Sequence, residues 1–234
     1  MHLWTLLLLL PAQAVEAKDF PKDLQMKAVT ATVRIVNRTD RSEGTGVIVG
    51  QEKGAVYILT AAHVVARADR LEISTFSRDS YPRPLTSYEK TEVVAQTRDI
   101  RDLALVRVPT EDRAPATMPF CPLRQLPAAG GFESLSVGCG ASKAPISLLE
   151  NVQKEKRIRR PPGRDTALFW ETAIGQPAGR SGGPLINKRG ELIGLASGSS
   201  EGKGYYCHGA EIHAWLKGGK FAFLVTEQEK KEKE

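Results

Sequence analysis

The sequence predicts an all-β protein built as two antiparallel β-barrels, and three observations carry that prediction. Short runs rich in Val, Ile and Leu recur along the chain, separated by Gly, Asp, Arg and Pro, the pattern of successive antiparallel strands. Only two short stretches, Glu211–Lys217 and Ala62–Arg67, have helical character. A connection carrying Pro109, Pro115, Pro119, Pro122 and Pro127 divides the runs into two groups, because proline cannot join a central ladder. With about six candidate strands on each side, two barrels account for the pattern better than one large sheet.

Residues 1–17 are expected to be a signal peptide. Leu3–Leu10 is an apolar core of signal-peptide length, too short to span a bilayer, and Ala12-Gln13-Ala14 and Val15-Glu16-Ala17 are cleavage patterns. The mature protein is therefore expected to be exported, with no stable membrane insertion after signal cleavage. Residues 18–110 form the predicted N-terminal barrel, with strands at Thr30–Val36, Gly46–Gly50, Ala55–Leu59, Leu71–Phe76, Thr91–Gln96 and Leu103–Val108. Residues 111–127 are the inter-barrel connection. Residues 128–217 form the second barrel and its short terminal helix, with strands at Ser134–Gly138, Ala167–Glu171, Pro184–Ile186, Leu192–Ala196 and Tyr205–His208. Residues 218–234 are read as a charged tail.

Composition narrows the function. The 234 residues carry a formal net charge of +6, which permits anionic partners without requiring them. Lys154–Arg164 concentrates six cations against one acid and is read as a solvated loop, the sharper alternative being a patch for an anionic partner. It has no interleaved aromatics to stack on bases, so nucleic acid is not an expected partner. Cys121, Cys139 and Cys207 allow one disulfide at most, with the pairing left open, so stability must come from a core.

One stretch organises the chemistry. In Gly179-Arg180-Ser181-Gly182-Gly183-Pro184-Leu185 a serine is flanked by glycines and followed by an apolar run, which suits a tight turn feeding a strand. Such a turn offers an oxyanion hole over Gly179, Arg180 and Ser181, with the N–H groups of Gly179 and Ser181 as donors. A serine needs a base to become a nucleophile. Tyr57-Ile58-Leu59-Thr60-Ala61-Ala62-His63 runs a strand into a small-residue turn that ends in histidine. Arg101-Asp102-Leu103-Ala104-Leu105-Val106 puts an aspartate at the mouth of an apolar strand, with Asp99 a nearby competitor. An imidazole can take the hydroxyl proton and return it to the leaving group, and a carboxylate can fix its tautomer. Catalytic roles for His63, Asp102 and Ser181 follow. No metal or organic cofactor is needed.

These motifs resemble the trypsin/chymotrypsin superfamily, over roughly residues 25–217. The nearest subgroup is the HtrA-type, trypsin-like peptidases: Glu43-Gly44-Thr45-Gly46-Val47-Ile48-Val49, the segment Thr172–Asn187 and Gly190-Glu191-Leu192-Ile193-Gly194-Leu195 are similar to theirs. The resemblance implies two six-stranded chymotrypsin-like barrels with the active site in the cleft between them, the base being His63, its orienting acid Asp102 and the nucleophile Ser181. HtrA-type proteases usually carry a C-terminal PDZ domain, for which this chain ends too soon. Zymogen-activated relatives have an aspartate just before the serine; here Arg180 holds that position and cannot pair with a newly cut N-terminus. By the same resemblance the substrate pocket comprises Gly175, six residues before the serine, and Leu195, Ala196, Ser197 and Gly198. Small, uncharged walls predict a small or medium apolar side chain before the scissile bond.

The sequence thus predicts an exported serine endopeptidase, a hydrolase whose partners are polypeptide substrates, unfolded protein among them. The alternative is a catalytically silent protease-like binding protein, which usually shows as a replaced triad member. An esterase of the α/β-hydrolase type would place Ser before Asp before His. His208 and His213 are five apart around a turn, a poor spacing for a metal site, and are read as surface or interface residues. Cys139 lacks a histidine pattern that would mark it as a nucleophile. Asn37-Arg38-Thr39 is a glycosylation sequon, relevant only after secretion through an endoplasmic reticulum, and a bacterial periplasm or exterior is the expected location.

Overall fold

The computed structural model describes residues 20–52, 54–140, 143–159 and 165–225. The expected leader lies outside them. Seven antiparallel strands form the N-terminal sheet: β1 (Thr32–Asn37), β2 (Ser42–Glu52), β3 (Ala55–Ala61), β4 (Leu71–Thr75), β5 (Thr86–Tyr88), β6 (Glu92–Gln96) and β7 (Leu103–Pro109). They lie in the order β5-β4-β1-β2-β3-β7-β6, a sheet curled as a half-barrel. Six more, β8 (Phe132–Gly138), β9 (Ile146–Arg159), β10 (Thr166–Thr172), β11 (Pro184–Ile186), β12 (Leu192–Ser200) and β13 (Lys203–His208), close into a barrel in the order β10-β13-β12-β11-β8-β9. Helix α1 (Lys22–Thr30) precedes the first sheet and α2 (Gly209–Lys217) follows the second. The architecture is the all-β, chymotrypsin-like two-barrel fold.

The central strands are apolar on both faces because both faces are covered. Val33, Ile35, Ile48, Ile58, Ala104 and Val106 fill the interior of the first sheet. The alternate residues Val47, Leu59, Leu103 and Leu105 belong to a second cluster that includes Leu135, Val137, Ile186 and Leu195 of the closed barrel. Alternation along a strand thus packs one sheet internally and against its neighbour at once. Trp170 centres the closed barrel, fully buried, with Nε1 donating to Ile193 O at 2.9 Å and Phe132 edge-on at 5.2 Å.

Several readings need correction. Lys154–Arg159, read with the basic loop, belongs to β9 and pairs with β10; residues 160–164 lie outside the described ones. Its cations are used across the ladder: Lys156 Nζ donates to Glu171 Oε2 at 2.8 Å and Lys154 Nζ stands 3.5 Å from Glu171 Oε1. That hydrogen bond holds the Glu171 carboxyl below its usual range despite its burial. Residues Phe221, Leu224 and Val225, grouped with the charged tail, are buried, and Phe221 and Phe223 pack on Tyr57 at 6.1 and 5.5 Å between centroids. The three cysteines are buried and no disulfide joins them, and desolvation pushes the Cys121 and Cys139 thiols up to about 12. Asn37 of the sequon is fully buried and donates to Ala66 O at 3.1 Å, so its amide is closed to a glycan.

His208 and His213 are buried rather than exposed. His208 caps α2, its Nδ1 accepting from Ala210 N at 3.1 Å. Charging the ring would put a proton on that acceptor. Burial lowers the His208 pKa to about 4, and the Glu155 carboxylate at 3.5 Å does not offset it. The unfolded chain therefore binds this proton first. Stability should be complete above about pH 6.5 and fall by roughly 3 kcal/mol as pH drops to about 4. Urea unfolding of wild type and His208→Asn across this range checks it: asparagine keeps a capping acceptor but does not titrate, so its curve should be flatter. Equal slopes would exclude His208 as the source.

Candidate active site

β3 delivers His63. The strand ends at Ala61 and the chain enters a 3₁₀ turn, Ala62–Val65, in which Val64 and Val65 are buried and anchor the turn, leaving the His63 side chain 49% exposed. β7, next to β3, delivers Asp102 at its mouth, where Ala62 N donates to Asp102 O at 2.9 Å. Asp102 has φ +56°, a left-handed conformation that aspartate tolerates better than most residues. Its carboxylate takes three hydrogen bonds: Oδ1 from His63 N at 2.9 Å, and Oδ2 from His63 Nδ1 at 2.7 Å and from Ser197 Oγ at 2.8 Å. A carboxylate so engaged fixes the ring proton on Nδ1 and leaves the lone pair on Nε2, where a base needs it. Asp99 is turned away, clamped by Arg101 Nε at 3.0 Å and Nη2 at 2.5 Å.

The serine loop sits against the same strand end. Gly179 and Gly182 have φ +85° and +83°, conformations that favour glycine. Thr45 of β2 clamps the loop: its N donates to Ser181 O at 2.8 Å and its Oγ1 donates to Gly179 O at 2.7 Å. Gly182 N donates to Ala196 O at 2.7 Å, and Ala196 N returns a bond to Gly183 O at 2.8 Å. Space at Gly182 is closed by Thr45 O, Thr60 Oγ1 and Ala61 N. The loop is thereby seated beside Ala61, two residues before His63. No hydrogen bond joins Ser181 Oγ to His63 Nε2 among the described residues, and the N–H groups of Gly179 and Ser181 donate to none of them. Arg180 N–H is turned away from these two, toward Pro177 O at 3.4 Å. Only Gly179 and Ser181 of the three expected oxyanion residues thus offer uncommitted N–H groups.

The expected pocket residues divide. Leu195 and Ala196 are buried, the first in the cluster shared by the two sheets and the second inside the closed barrel, so their side chains form no wall. The β12–β13 register shifts between Ala196 and Gly198, a bulge that frees Ser197 from the ladder and points its hydroxyl at Asp102. Gly175 faces Ser199 closely, and a Cβ there would lie 3.3 Å from the Ser199 side chain. Ser197, Gly198 and Ser199 border a groove of about 420 Å³ that Ile100, Lys156, Phe169 and Tyr205 also line. Ser197 is named in the sequence as a pocket residue and Thr45 as part of a strand, but the clamp of Thr45 on Gly179 and the contact of Ser197 with Asp102 are not legible there because those partners lie 134 and 95 residues away.

The chain is 26% identical over 167 residues to the "Serine protease Do-like HtrA" of Bacillus subtilis, covering 68% of this chain and 34% of that protein. It is 32% identical over 163 residues to a "Probable periplasmic serine endoprotease DegP-like" of Halomonas elongata, covering 67% of this chain and 29% of that protein. The chain thus spans about a third of the length of the curated relatives it matches. Among solved structures, the Rv3671c protease of M. tuberculosis in its active form superposes with a TM-score of 0.68 at 20% identity, covering 82% of each chain. The inactive form gives 0.67 over 84% of this chain and 92% of that one, a likeness of fold. The signature of the trypsin-like peptidase domain matches residues 44–195, from the Gly44 strand through the serine loop into β12. By that match, this chain belongs to the trypsin-like peptidase domain family.

Proposed function

We propose that this chain is an exported serine endopeptidase that hydrolyses polypeptides through an acyl-enzyme, with Ser181 as nucleophile, His63 as general base and acid, and Asp102 as orienting acid. The observation that carries the reading is the pairing of His63 with Asp102 beside a serine loop with two uncommitted N–H groups. His63 Nε2 takes the Ser181 hydroxyl proton as Oγ attacks the substrate carbonyl. The N–H groups of Gly179 and Ser181 receive the negative charge that develops on its oxygen. His63 then returns the proton to the leaving amine, and water repeats the sequence on the acyl-enzyme. Gly175, Ser197 and Gly198, without a charge among them, favour a small or medium apolar side chain before the scissile bond.

Export to the periplasm or exterior rests on the apolar Leu3–Leu10 segment and on relatives whose names place them in the periplasm. Among the described residues no helix is long and apolar enough to cross a membrane.

The test is labelling with a fluorophosphonate probe, with digestion of unfolded casein in parallel. Wild type should label at one site and digest casein, and Ser181→Ala should do neither. A well-folded wild type that does not label would make the protein a silent protease-like binder. Cleavage profiles dominated by Arg, Lys or Glu before the scissile bond would overturn the apolar preference.

A further inference from the structure

The residue before the serine is a buried arginine with its own partners. Arg180 is 2% exposed. Its stem crosses β8 where Gly138 has no side chain; a Cβ at Gly138 would stand 3.0 Å from Arg180 Cβ. The guanidinium then spreads over one end of the closed barrel. Nη1 donates to Gly138 O and Ile146 O, each at 3.1 Å, and Nη2 donates to Ser136 Oγ at 2.9 Å. Ser136 in turn donates to Glu150 Oε1 at 2.7 Å, and Tyr206 OH donates to the same oxygen at 2.8 Å. Ser136, Glu150 and Tyr206 are all buried. The bonds run in one direction, from a cation through a hydroxyl to a carboxyl group, so Glu150 lies one hydroxyl away from the charge at Arg180.

The backbone of Arg180 lies between the two uncommitted donors. Its own C=O accepts from Gly183 N at 2.9 Å. The C=O and N–H of one peptide point in opposite directions, so this bond aims the Ser181 N–H away from Gly183. The preceding peptide is held at both ends, by Arg180 N on Pro177 O and by Thr45 Oγ1 on Gly179 O. An anchored Arg180 side chain therefore fixes the position about which both donors turn.

We infer that Arg180 is a positioning residue: the buried chain Arg180–Ser136–Glu150–Tyr206 locks the serine loop with its N–H donors set, so that folding alone completes the site. The kinetic part rests on the function proposed above; the conformational part does not. Guanidinium is the suited cation because its planar fork reaches three acceptors, whereas an ammonium could not keep that geometry.

Two variants and two readouts test this. In Arg180→Met, which fills the stem without charge, amide hydrogen exchange of a peptide covering residues 177–183 should rise about tenfold or more while peptides from β3 and β7 keep their protection. kcat should fall about 100-fold with KM within about twofold, as expected when oxyanion donors lose their aim. Ser136→Ala removes only the link between Arg180 and Glu150 and should give a smaller change of the same kind, about tenfold in kcat. Uniformly faster exchange with unchanged kcat per folded molecule would make the network merely structural and overturn the inference. Unchanged exchange in residues 177–183 in both variants would do the same. If wild type is inactive, the exchange readout still decides, so failure of the endopeptidase reading and failure of the lock are distinguishable.

Discussion

Alanine at Ser181 or at His63 is expected to lower kcat about a million-fold, and asparagine at Asp102 about ten-thousand-fold, with the fold retained in each case. On the function proposed above, the first two changes remove the nucleophile or the base that Asp102 orients. The third is more selective. Asp102 accepts from three donors, His63 N, His63 Nδ1 and Ser197 Oγ. An asparagine amide has one acceptor oxygen, so its NH₂ group must face at least one of those donors. The imidazole escapes the conflict by moving its proton to Nε2, which leaves no lone pair for the serine proton. The side chains act as a unit, so Ser181→Ala combined with His63→Ala should be no worse than either alone. Steady-state kinetics on a peptide ester, with circular dichroism for the fold, check the series. A loss of only about tenfold in Asp102→Asn would mean that Asp102 does not orient the base.

The order of these losses bears on how legible the site was. His63, Asp102 and Ser181 each stand at the end of an apolar run or inside a glycine-flanked turn, so the feature that marks them is a few residues long. The same holds for the strands of both halves, whose Val- and Ile-rich runs reappear as β1–β4, β6–β8 and β10–β13. What escaped has its cause elsewhere in the chain. Thr45 reads as one more strand residue until the fold brings Gly179 to it. Ser197 reads as a pocket wall until a bulge turns it toward Asp102. β9 is hidden by its own charges, because the Glu171 that balances Lys156 lies on the next strand. Helix α1 has Pro21 before it with no side-chain cap, and only its last turn is buried, so neither a cap nor an apolar stripe announces it. Arg180 could be named as the residue that departs from zymogen-activated relatives, but its destination among Ser136, Gly138 and Ile146 depends on closure of the barrel.

The seat of the serine loop predicts the second large effect. A Cβ on Gly182 would meet Thr45 O at 2.1 Å, Thr60 Oγ1 at 2.3 Å and Ala61 N at 2.9 Å, and the residue has φ +83°. None of these atoms is free to yield. Thr45 O accepts from Thr60 Oγ1 at 2.6 Å, and Thr45 N holds Ser181 O at 2.8 Å. Gly182→Ala should therefore cost about 4 kcal/mol or more of stability, from backbone strain and overlap together. Any relief must carry the loop away from β3, which separates Ser181 from the histidine that β3 delivers. Gly198→Ala is the control: its Cβ would have no neighbour within 4 Å, so its stability should stay within about 0.5 kcal/mol of wild type. Urea unfolding of both variants, with probe labelling of whatever remains folded, separates the two consequences. If Gly182→Ala were as stable as Gly198→Ala and still labelled at the wild-type rate, the contact between the serine loop and the end of β3 would not be what joins the two halves of the site. If it folds but fails to label, the same contact sets the distance from nucleophile to base, and the two barrels cannot be treated as independent supports for the chemistry between them.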